Sequence, residues 1–436
     1  MRDLYNGATS PQQLLAALLE PQAPGERLAR LNASVAHAAG ASPFYRRWPT
    51  LHALDSLEDL ASLGFTRKED LRAEYPYGLL AVAPETLTRY AESTGTTGGV
   101  NAGFVTARDW KTNNFCVALA WAGLLGEHDI VAVAVPYELS YVGADIDRVA
   151  ELLGVSVLAV GTNNKLCPWT RLLALLRSHK VTTLVCAPIR ALRLAAMAAE
   201  QGIDLQRDLA VRRIVCMGEA LSPARKARIE RLWGASVYNH YGMTEAMSVA
   251  LPCPQGQLHL AEQRFVFEVI DPDSAAVLAP GSTGELVLTT LAQEAMPLVR
   301  YRSGDLVKTD TSPCACGNPH TRIVHLGRVQ DLIGAPARRF HISELDDILL
   351  AEPGIEPIYS VQGDASHVAI HLIPAEGGHW HDTRARLTAA LERYCGIPVE
   401  LVPIDRQEWY QRIDNRSKPG TVPAPASPLS TKETMQ

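Results

Sequence analysis

Residues 130–160 read IVAVAVPYELSYVGADIDRVAELLGVSVLAV, and this stretch decides the fold class. Its first seven residues form an apolar, β-branched run that is typical of a buried strand. Residues 144–154 have the spacing of an amphipathic helix and end at Gly154, the residue type that most often follows a helix C-terminus. Residues 155–160 form a second apolar run. A strand, a helix and a strand in this order predict parallel strands joined by a crossover helix.

The same alternation continues towards the C-terminus. A helix is predicted near 169–179, strands at 182–186 and 212–217, and a further helix capped by Ser222 and ending at Trp233. The segment upstream, residues 1–90, has mainly helical patterns. These elements extend the predicted α/β region over most of the first half of the chain.

Two later regions differ from this pattern. Residues 260–330 contain several short strands and turns, which predict a small β-rich layer. Residues 330–410 mix strands and helices, with an apolar run at 367–373 and a helical pattern at 382–395. The chain is therefore expected to contain more than one folding unit.

Length and composition exclude several classes of protein. A chain of 436 residues is too long for one ordinary core, and its 47% hydrophobic and 20% charged content argues against disorder. The net charge of −6 and the lack of a basic stripe argue against nucleic acid as a partner. The longest apolar run, Cys116 to Leu125, is too short to cross a bilayer. Because the N-terminus also lacks the pattern of a secretory signal, we expect a cytoplasmic protein with no membrane attachment.

The segment Ser93-Thr94-Gly95-Thr96-Thr97-Gly98 follows a predicted strand at 88–91. Glycines let several backbone N–H groups converge and the adjacent hydroxyls add donors, so the segment can cradle phosphate oxygens. It is not a Walker loop, because no Gly-Lys-Ser/Thr sequence closes it. A flexible surface turn accounts for the same residues.

Three further segments carry residues suited to a nucleotide. Tyr238–Glu245 (YNHYGMTE) offers a planar ring, a glycine, a hydroxyl and a carboxylate just after a strand, where ligands of parallel sheets bind. Arg300–Asp305 (RYRSGD) places a carboxylate in a turn, where it can accept both hydroxyls of a ribose. Gly327–Asp331 (GRVQD) is the third. Taken singly, each segment is equally explained by a capped helix start, a charged hairpin or an exposed polar turn.

The order and spacing of STGTTGG, YGMTE, YRSGDL and GRVQDLI together resemble the acyl-adenylate-forming superfamily, which includes acyl-CoA synthetases, luciferases and peptide-synthetase adenylation domains. The chain looks most like the phenylacetate–CoA ligase branch, over residues 60–420. The resemblance implies an AMP-forming acid–thiol ligase that uses ATP and Mg²⁺ to convert a small carboxylic acid into its acyl-adenylate and then acylates CoA. A carrier-protein thiol or an amine is the alternative acceptor. A catalytically lapsed nucleotide-binding relative is the alternative from another class.

The resemblance also divides the chain into domains. It implies an α/β fold in which a large N-terminal domain at 1–327 has parallel-rich sheets flanked by helices plus the small β-rich layer. A small mobile α+β lid domain at 328–420 follows, and it is thought to rotate between the two half-reactions. The Pro-, Ser- and Thr-rich tail at 421–436 is predicted to be disordered. A homodimer is implied by the resemblance alone.

Roles carry over from the resemblance position by position. Ser93 to Gly98 are expected to hold the β- and γ-phosphates, Thr244 to contact the α-phosphate and Glu245 to bind Mg²⁺. Asp305 is expected to bind the ribose hydroxyls, and Arg328 the ribose or a phosphate. The adenine and the rest of the nucleotide pocket are expected to be lined by Gly218, Glu219, Ala220, Asn239, His240, Tyr241, Gly242 and Met243. The acyl pocket is expected to be formed by Tyr137, Tyr141, Ala187, Gly218 and His240.

The chain departs from the family pattern at four places. The phosphate loop of the family ends Gly-Lys-Pro, but Gly99 and Val100 stand here, and the usual Asp or Lys of the hinge is Gln330. The stretch APARRFH at 335–341 replaces an RGVN-like run. Lys418 occupies the place of the family's lid lysine, although Ser417 precedes it where the family has glycine, and a solvated tail lysine is the alternative. These departures keep the alternative acceptors open.

Loop cysteines form a candidate metal site. Cys253 and His259 follow YGMTE, and Cys314 and Cys316 precede GRVQDLI. Three thiolates and an imidazole fit a closed tetrahedral structural Zn²⁺ site, and similar residues occur in some phenylacetate–CoA ligase-like sequences. His320 is the alternative fourth ligand, and three unrelated free thiols are the alternative to a metal.

Overall fold

The computed structural model describes residues 24–94, 99–162, 164–335, 338–377 and 379–414. Its helices are α1 (Pro24–Ala41), α2 (Lys68–Ala73), α3 (Ala107–Trp121), α4 (Val142–Leu153), α5 (Trp169–Ser178), α6 (Pro188–Glu200), α7 (Leu205–Asp208), α8 (Pro223–Trp233), α9 (Asp346–Leu349), α10 (Trp380–Cys395) and α11 (Arg406–Asp414). Its strands are β1 (Leu87–Thr94), β2 (Val100–Thr106), β3 (Ile130–Val133), β4 (Ser156–Ala159), β5 (Thr183–Cys186), β6 (Arg213–Cys216), β7 (Ser236–Asn239), β8 (Tyr241–Met243), β9 (Met247–Pro252), β10 (Leu258–Leu260), β11 (Phe265–Ile270), β12 (Thr283–Thr290), β13 (Tyr301–Asp310), β14 (Arg322–Arg328), β15 (Ile333–Ala335), β16 (Arg338–Phe340), β17 (Ile355–Gly363), β18 (Val368–Pro374) and β19 (Val399–Pro403). Among these residues, no helix is both long enough and apolar enough to cross a bilayer.

A five-stranded parallel sheet lies at the centre of the first half, in the order β4-β3-β5-β6-β7. Gly154 adopts φ +67° at the end of α4, and the Ser222 hydroxyl accepts a hydrogen bond from the Arg225 N–H at the start of α8. These are the positions that the sequence predicts for both helix ends. Apolar clusters cover both faces of the sheet, one built on α3 and α4 and the other on α5, α6 and α8. The predicted α/β class is confirmed.

The antiparallel layer is larger than the sequence indicates. Its seven strands are ordered β11-β12-β13-β14-β10-β9-β8 among the described residues, so it begins at Tyr241 rather than near residue 260. The chain crosses from the parallel sheet to this layer at His240, between β7 and β8. The end of one sheet and the start of the other therefore meet at the segment predicted to bind the nucleotide.

A hairpin lies beside this junction. Strands β1 and β2 pair in antiparallel register with Thr94 opposite Val100, so the predicted phosphate loop connects the two strands. The loop residues 95–98 lie outside the described residues. Helix α2 contacts β2 and brings the N-terminal segment to the same place.

The C-terminal part has its own apolar core, formed by the sheet β17-β18-β19 with α9 and α10. It also contacts the first half of the chain. Trp409, Tyr410 and Ile413 of α11 pack into the core on the α6 face of the parallel sheet, and Arg193 pairs with Asp414 at 3.1 Å. The division of the chain at residue 327 stays a prediction.

Candidate functional site

The site forms where β8, β13 and β14 meet. The Tyr241 hydroxyl donates to Asp305 Oδ2 at 2.6 Å, and Arg328 Nε lies 2.8 Å from Asp305 Oδ1. Asp305 and Arg328 face each other in the antiparallel register of β13 and β14. The structure thus brings together the central residues of three predicted motifs, YGMTE, YRSGDL and GRVQDLI.

Asp305 is only 3% exposed, yet it is held as a carboxylate. Burial alone raises the pKa of this group, but the Arg328 charge and His325 outweigh burial and hold the pKa well below its usual range. The ring of His325 stacks on Tyr241, with centroids 4.6 Å apart and planes at 26°. A charged acceptor beside a flat aromatic surface suits a ribose and its base.

Glu245 lies on the same side of the site. The residue is 5% exposed, and its carboxylate accepts a hydrogen bond from the Tyr301 hydroxyl. The preceding carbonyl, that of Thr244, packs against the hairpin: a Cβ on Gly103 would lie 2.2 Å from the Thr244 oxygen. Only glycine permits this approach, so the hairpin that bears residues 95–98 is fixed against the YGMTE turn.

Sequence reasoning missed two cations here, both on the short helix α2. The Lys68 ammonium group lies close to Gly304, since a Cβ added to Gly304 would be 3.2 Å from Lys68 Nζ. Burial and the charge of Arg328 lower the pKa of Lys68, while the carboxylates of Asp305 and Glu245 oppose that shift. Lys68 is therefore a partly buried ammonium group near the predicted ribose residue Asp305 and the predicted metal residue Glu245.

Arg72, one turn further along α2, lies against the C-terminal end of the predicted phosphate loop. A Cβ on Gly99 would be 2.6 Å from Arg72 Cδ, and Arg72 Nε donates to Asn101 Oδ1 at 3.2 Å. Gly99 stands where the family pattern places a lysine. The only sequence signal for either cation is the charged segment FTRKEDLR (65–72), which precedes the loop by some twenty residues. This segment by itself does not indicate a ligand site.

The predicted adenine segment follows β6. Gly218 has φ +84°, and Glu219 Oε2 accepts the Ile189 N–H at 3.1 Å, so this carboxylate caps the start of α6. Ala220 and Asn239 are partly buried, as is Met243, and Gly242 is exposed. Gly242 cannot carry a side chain without displacing the Met247 carbonyl, which would be 2.5 Å away.

The residues predicted for the acyl pocket separate into different apolar clusters. Tyr137 packs over Gly143 on the α3–α4 face of the parallel sheet and donates to Asp147 Oδ1 at 2.7 Å. Tyr141 is buried in a small cluster with Trp110, at a centroid distance of 6.1 Å. Ala187 belongs to the core on the opposite face. His240 lies on the α3 side, near Trp121.

The four predicted zinc ligands converge, although up to 63 positions separate them. The side-chain ligand atoms of Cys253, His259, Cys314 and Cys316 all lie within 4.8 Å of one another. Cys253 Sγ is 4.0 Å from Cys314 Sγ, and Cys316 Sγ is 3.4 Å from His259 Nε2. A tetrahedral site with Zn–S bonds of about 2.3 Å needs sulfur atoms about 3.8 Å apart, so the cluster fits that ion.

The orientation of His259 supports the same ligand set. Its Nδ1 lies 2.8 Å from the His320 carbonyl oxygen, an acceptor, so Nδ1 carries the proton and Nε2 keeps its lone pair towards the sulfurs. His320 takes part through its backbone, and its ring is not in the cluster. This geometry favours His259 over His320 as the fourth ligand.

Lys418 lies outside the described residues, which end at Asp414.

Several known proteins are similar to this chain in sequence. Residues 95–292 match the family described as AMP-binding enzyme. The phenylacetate–coenzyme A ligase of Thermus thermophilus is 32% identical over 364 residues, which cover 81% of this chain and 79% of that protein. The enzyme of the same name from Pseudomonas putida is 30% identical over 86% of this chain and 88% of its own length.

The chain belongs to the phenylacetate–coenzyme A ligase branch of the acyl-adenylate-forming enzymes. As a member of that family it is an AMP-forming acid–CoA ligase, and the resemblance inferred from the four motifs is confirmed. Solved structures agree on the fold: 2-hydroxyisobutyryl-CoA ligase in the postadenylation state, 21% identical, covers 90% of this chain and 92% of its own with a TM-score of 0.79. The same ligase in the thioesterification state gives a TM-score of 0.66.

Proposed function

We propose that this chain activates a carboxylic acid of aromatic or intermediate size with ATP and Mg²⁺ and passes the acyl group to CoA. The observation that carries the proposal is that Asp305, Arg328, Tyr241 and Glu245 lie close together although their motifs are distant in sequence. In this reading Asp305 accepts the ribose hydroxyls, and the stacked Tyr241 lies against the base. Family membership and the size of the relatives' named substrate support the choice of acid class.

Glu245 suits the magnesium role. It is a buried carboxylate of which Tyr301 engages one oxygen, and hard oxygen ligands are what Mg²⁺ prefers. The bound ion would offset negative charge on the triphosphate. Tyr301 would hold the Glu245 carboxylate in one orientation, and Thr244 next to it would contact the α-phosphate.

Lys68 and Arg72 make up for the lysine that the phosphate loop lacks. Arg72 lies beside the hairpin that carries residues 93–98, and Lys68 lies beside Gly304 and close to the charges of Asp305 and Glu245. Attack of a carboxylate on an anionic α-phosphorus needs positive charge on both the attacking and the leaving side. Two fixed cations from α2 supply that charge without a loop lysine.

The reaction has two displacements. A carboxylate oxygen of the acid forms a bond to the α-phosphorus, and the bond from that phosphorus to the bridging oxygen breaks, so pyrophosphate leaves. The thiol sulfur then bonds to the acyl carbon, and the bond from that carbon to the oxygen that bridges to phosphorus breaks. AMP leaves with that oxygen, and the thiol proton passes to solvent. In this proposal the segment from Arg328 onward belongs to the lid, and Lys418 would bridge the carboxylate and the α-phosphate.

The cluster of Cys253, His259, Cys314 and Cys316 would hold a structural zinc ion. The ion would tie the β9–β10 turn to the loop that precedes β14. Because β14 ends at Arg328, this crosslink would set the position of one nucleotide-binding residue through the strand.

ATP–pyrophosphate exchange tests the proposal. A panel of aryl and alkyl acids is assayed with and without CoA, and the expected result is acid-dependent exchange together with CoA-dependent release of AMP. Exchange without CoA consumption would indicate a carrier-protein thiol or an amine as acceptor. Absence of exchange with every acid would favour the lapsed relative.

A further inference from the structure

The ring of His240 has one nitrogen with a partner and one without. The side chain is 2% exposed, and its Nε2 lies 2.9 Å from Ser248 Oγ. Nδ1 has no hydrogen-bond partner among the residues that the structure describes. A buried polar atom left unpaired is unfavourable, so in a folded enzyme such an atom requires a ligand or water to meet it.

Neighbouring groups fix which ring nitrogen carries the proton. Ser248 Oγ lies 3.5 Å from Asp145 Oδ2, and a hydroxyl that turns its single hydrogen towards this carboxylate accepts from His240. Asp145 also accepts from the amides of Asn113, at 2.9 Å, and Asn114, at 2.5 Å. The proton of His240 therefore lies on Nε2, and Nδ1 presents a bare lone pair.

The imidazole is also neutral. Burial lowers the pKa of His240 to about 3. Nδ1 is therefore an acceptor and not a donor at any pH at which the protein is expected to work.

His240 points away from the predicted ribose side of the site. Successive residues of an extended chain point to opposite sides, and the next residue, Tyr241, points to Asp305. His240 points the other way, with its ring centroid 5.8 Å from that of Trp121. Trp121 belongs to the apolar cluster that Tyr137 and Met217 join at the carboxyl ends of β3 and β6, the edge where ligands of parallel sheets bind.

Resting on the proposed function, we propose that His240 Nδ1 accepts a hydrogen bond from the acyl part of the substrate, so that the preferred acid carries a hydroxyl or amino group. A purely apolar acid offers Nδ1 no hydrogen-bond partner. The polar network of Asp145, Asn113, Asn114 and Ser248 has the role of positioning the ring. Discrimination against an acid without the donor is then expected to be about 10- to 100-fold, which corresponds to a cost of about 1.4–2.7 kcal/mol for one unmet buried acceptor.

Sets of three acids in the pyrophosphate-exchange assay test this inference. Each set contains an arylacetic, benzoic or short alkanoic acid, its hydroxyl derivative and the methyl derivative of similar size. The expected result is a kcat/KM for one hydroxylated isomer about 10- to 100-fold above that of its methyl counterpart. In His240→Leu the ratio of the two kcat/KM values is expected to fall to about one. Ser248→Ala no longer fixes the proton of His240 on Nε2, so it is expected to lower the ratio as well.

The possible outcomes separate the two proposals. Exchange with no acid at all removes the proposed function and this inference with it. Exchange in which hydroxylated and methylated acids react equally overturns the inference alone, as does a preference that His240→Leu leaves unchanged. Urea unfolding of both variants shows whether either fails to fold. If His240→Leu does not fold, Ser248→Ala provides the independent test.

Discussion

The Tyr241 hydroxyl donates to Asp305 Oδ2 at 2.6 Å across a separation of 64 residues. The other oxygen of the same carboxylate is 2.8 Å from Arg328 Nε, at the end of β14. One buried carboxylate therefore joins the turn after the parallel sheet to the strand that leads into the C-terminal part. A substitution of Asp305 is therefore expected to affect both of these segments.

Replacement of Asp305 by alanine is expected to raise the KM for ATP at least about tenfold. The variant lacks the proposed ribose acceptor and leaves Arg328 without its partner, and hydrogen bonds to charged groups contribute about 1.5–3 kcal/mol. Pyrophosphate exchange at varied ATP measures the effect. Asp310→Ala is the matched control, since Asp310 is an exposed carboxylate on the same strand. Equal KM values for the two variants would contradict the role of Asp305.

Lys68→Met is expected to lower the kcat of pyrophosphate exchange by about 100-fold. Methionine keeps the length of the side chain but removes the ammonium group near Glu245 and Asp305, and loss of one charge-stabilising group typically costs this much. Single-turnover formation of the acyl-adenylate gives the same readout without product release. Lys308→Met, at an exposed position of β13, is the control. A rate within twofold of the wild type would exclude Lys68 from the charge balance.

The parallel sheet could be predicted because its signals are local. Gly154 and Ser222 mark helix ends by backbone chemistry, and they take those roles in the structure. The extent of the antiparallel layer could not be predicted in the same way. Strand β9 (Met247–Pro252) is buried at all six positions, so it has no alternation of polar and apolar residues to distinguish it.

The site was predictable only in part, and for a similar reason. Tyr241, Asp305 and Arg328 belong to motifs whose combination is specific, and the structure brings them together, although their roles stay predictions. Lys68 and Arg72 lie on a six-residue helix among other charged residues, where nothing separates a ligand-facing cation from a solvated one. Their relevance depends on the tertiary contacts with Gly304 and Gly99, and one sequence does not contain that information.

Purified protein is expected to contain about one zinc ion per chain. Cys314→Ser is expected to lower the zinc content and to reduce the free energy of unfolding by at least about 2 kcal/mol, because a lost metal ligand is among the larger single-residue effects. Elemental analysis and urea unfolding measure the two effects. Cys167→Ser, outside the cluster, is the control. A zinc content far below one in the wild type would leave three unrelated thiols as the explanation.

The stability of the protein is expected to depend on pH through His240. Burial lowers its pKa to about 3, against about 6.5 in an unfolded chain, so between these values the unfolded state binds the proton and the folded state does not. The contribution of His240 to the unfolding free energy is fully present above pH 6.5 and is lost as the pH falls. The gap in unfolding free energy between the wild type and His240→Leu is expected to shrink by about 2 kcal/mol from pH 6.5 to 4.5. The surface variant His128→Leu is the control, and a gap independent of pH would contradict the buried neutral state.

Asp346 anchors the C-terminal core to the parallel-sheet region. It is 1% exposed, and its carboxylate accepts from Arg225 Nη2 at 3.0 Å and Nε at 3.2 Å, from the Ser222 hydroxyl at 2.5 Å and from the Tyr359 hydroxyl. Asp346→Ala is expected to cost about 3–5 kcal/mol in urea unfolding, because it leaves the Arg225 charge buried without its partner. Its exposed neighbour offers the control Asp347→Ala, which should unfold like the wild type.

A double variant separates the energy of this ion pair from the cost of breaking it. When Asp346 and Arg225 are both replaced by leucine, no charge is left buried, so the loss of stability should be well below that of Asp346→Ala alone. If the double variant is as unstable as the single one, packing at the contact, and not the uncompensated charge, sets the cost. If Asp346→Ala unfolds like Asp347→Ala, the pair does not hold the C-terminal core to α8 in solution, and the arrangement of the two parts must then depend on the packing of Trp409 and Ile413.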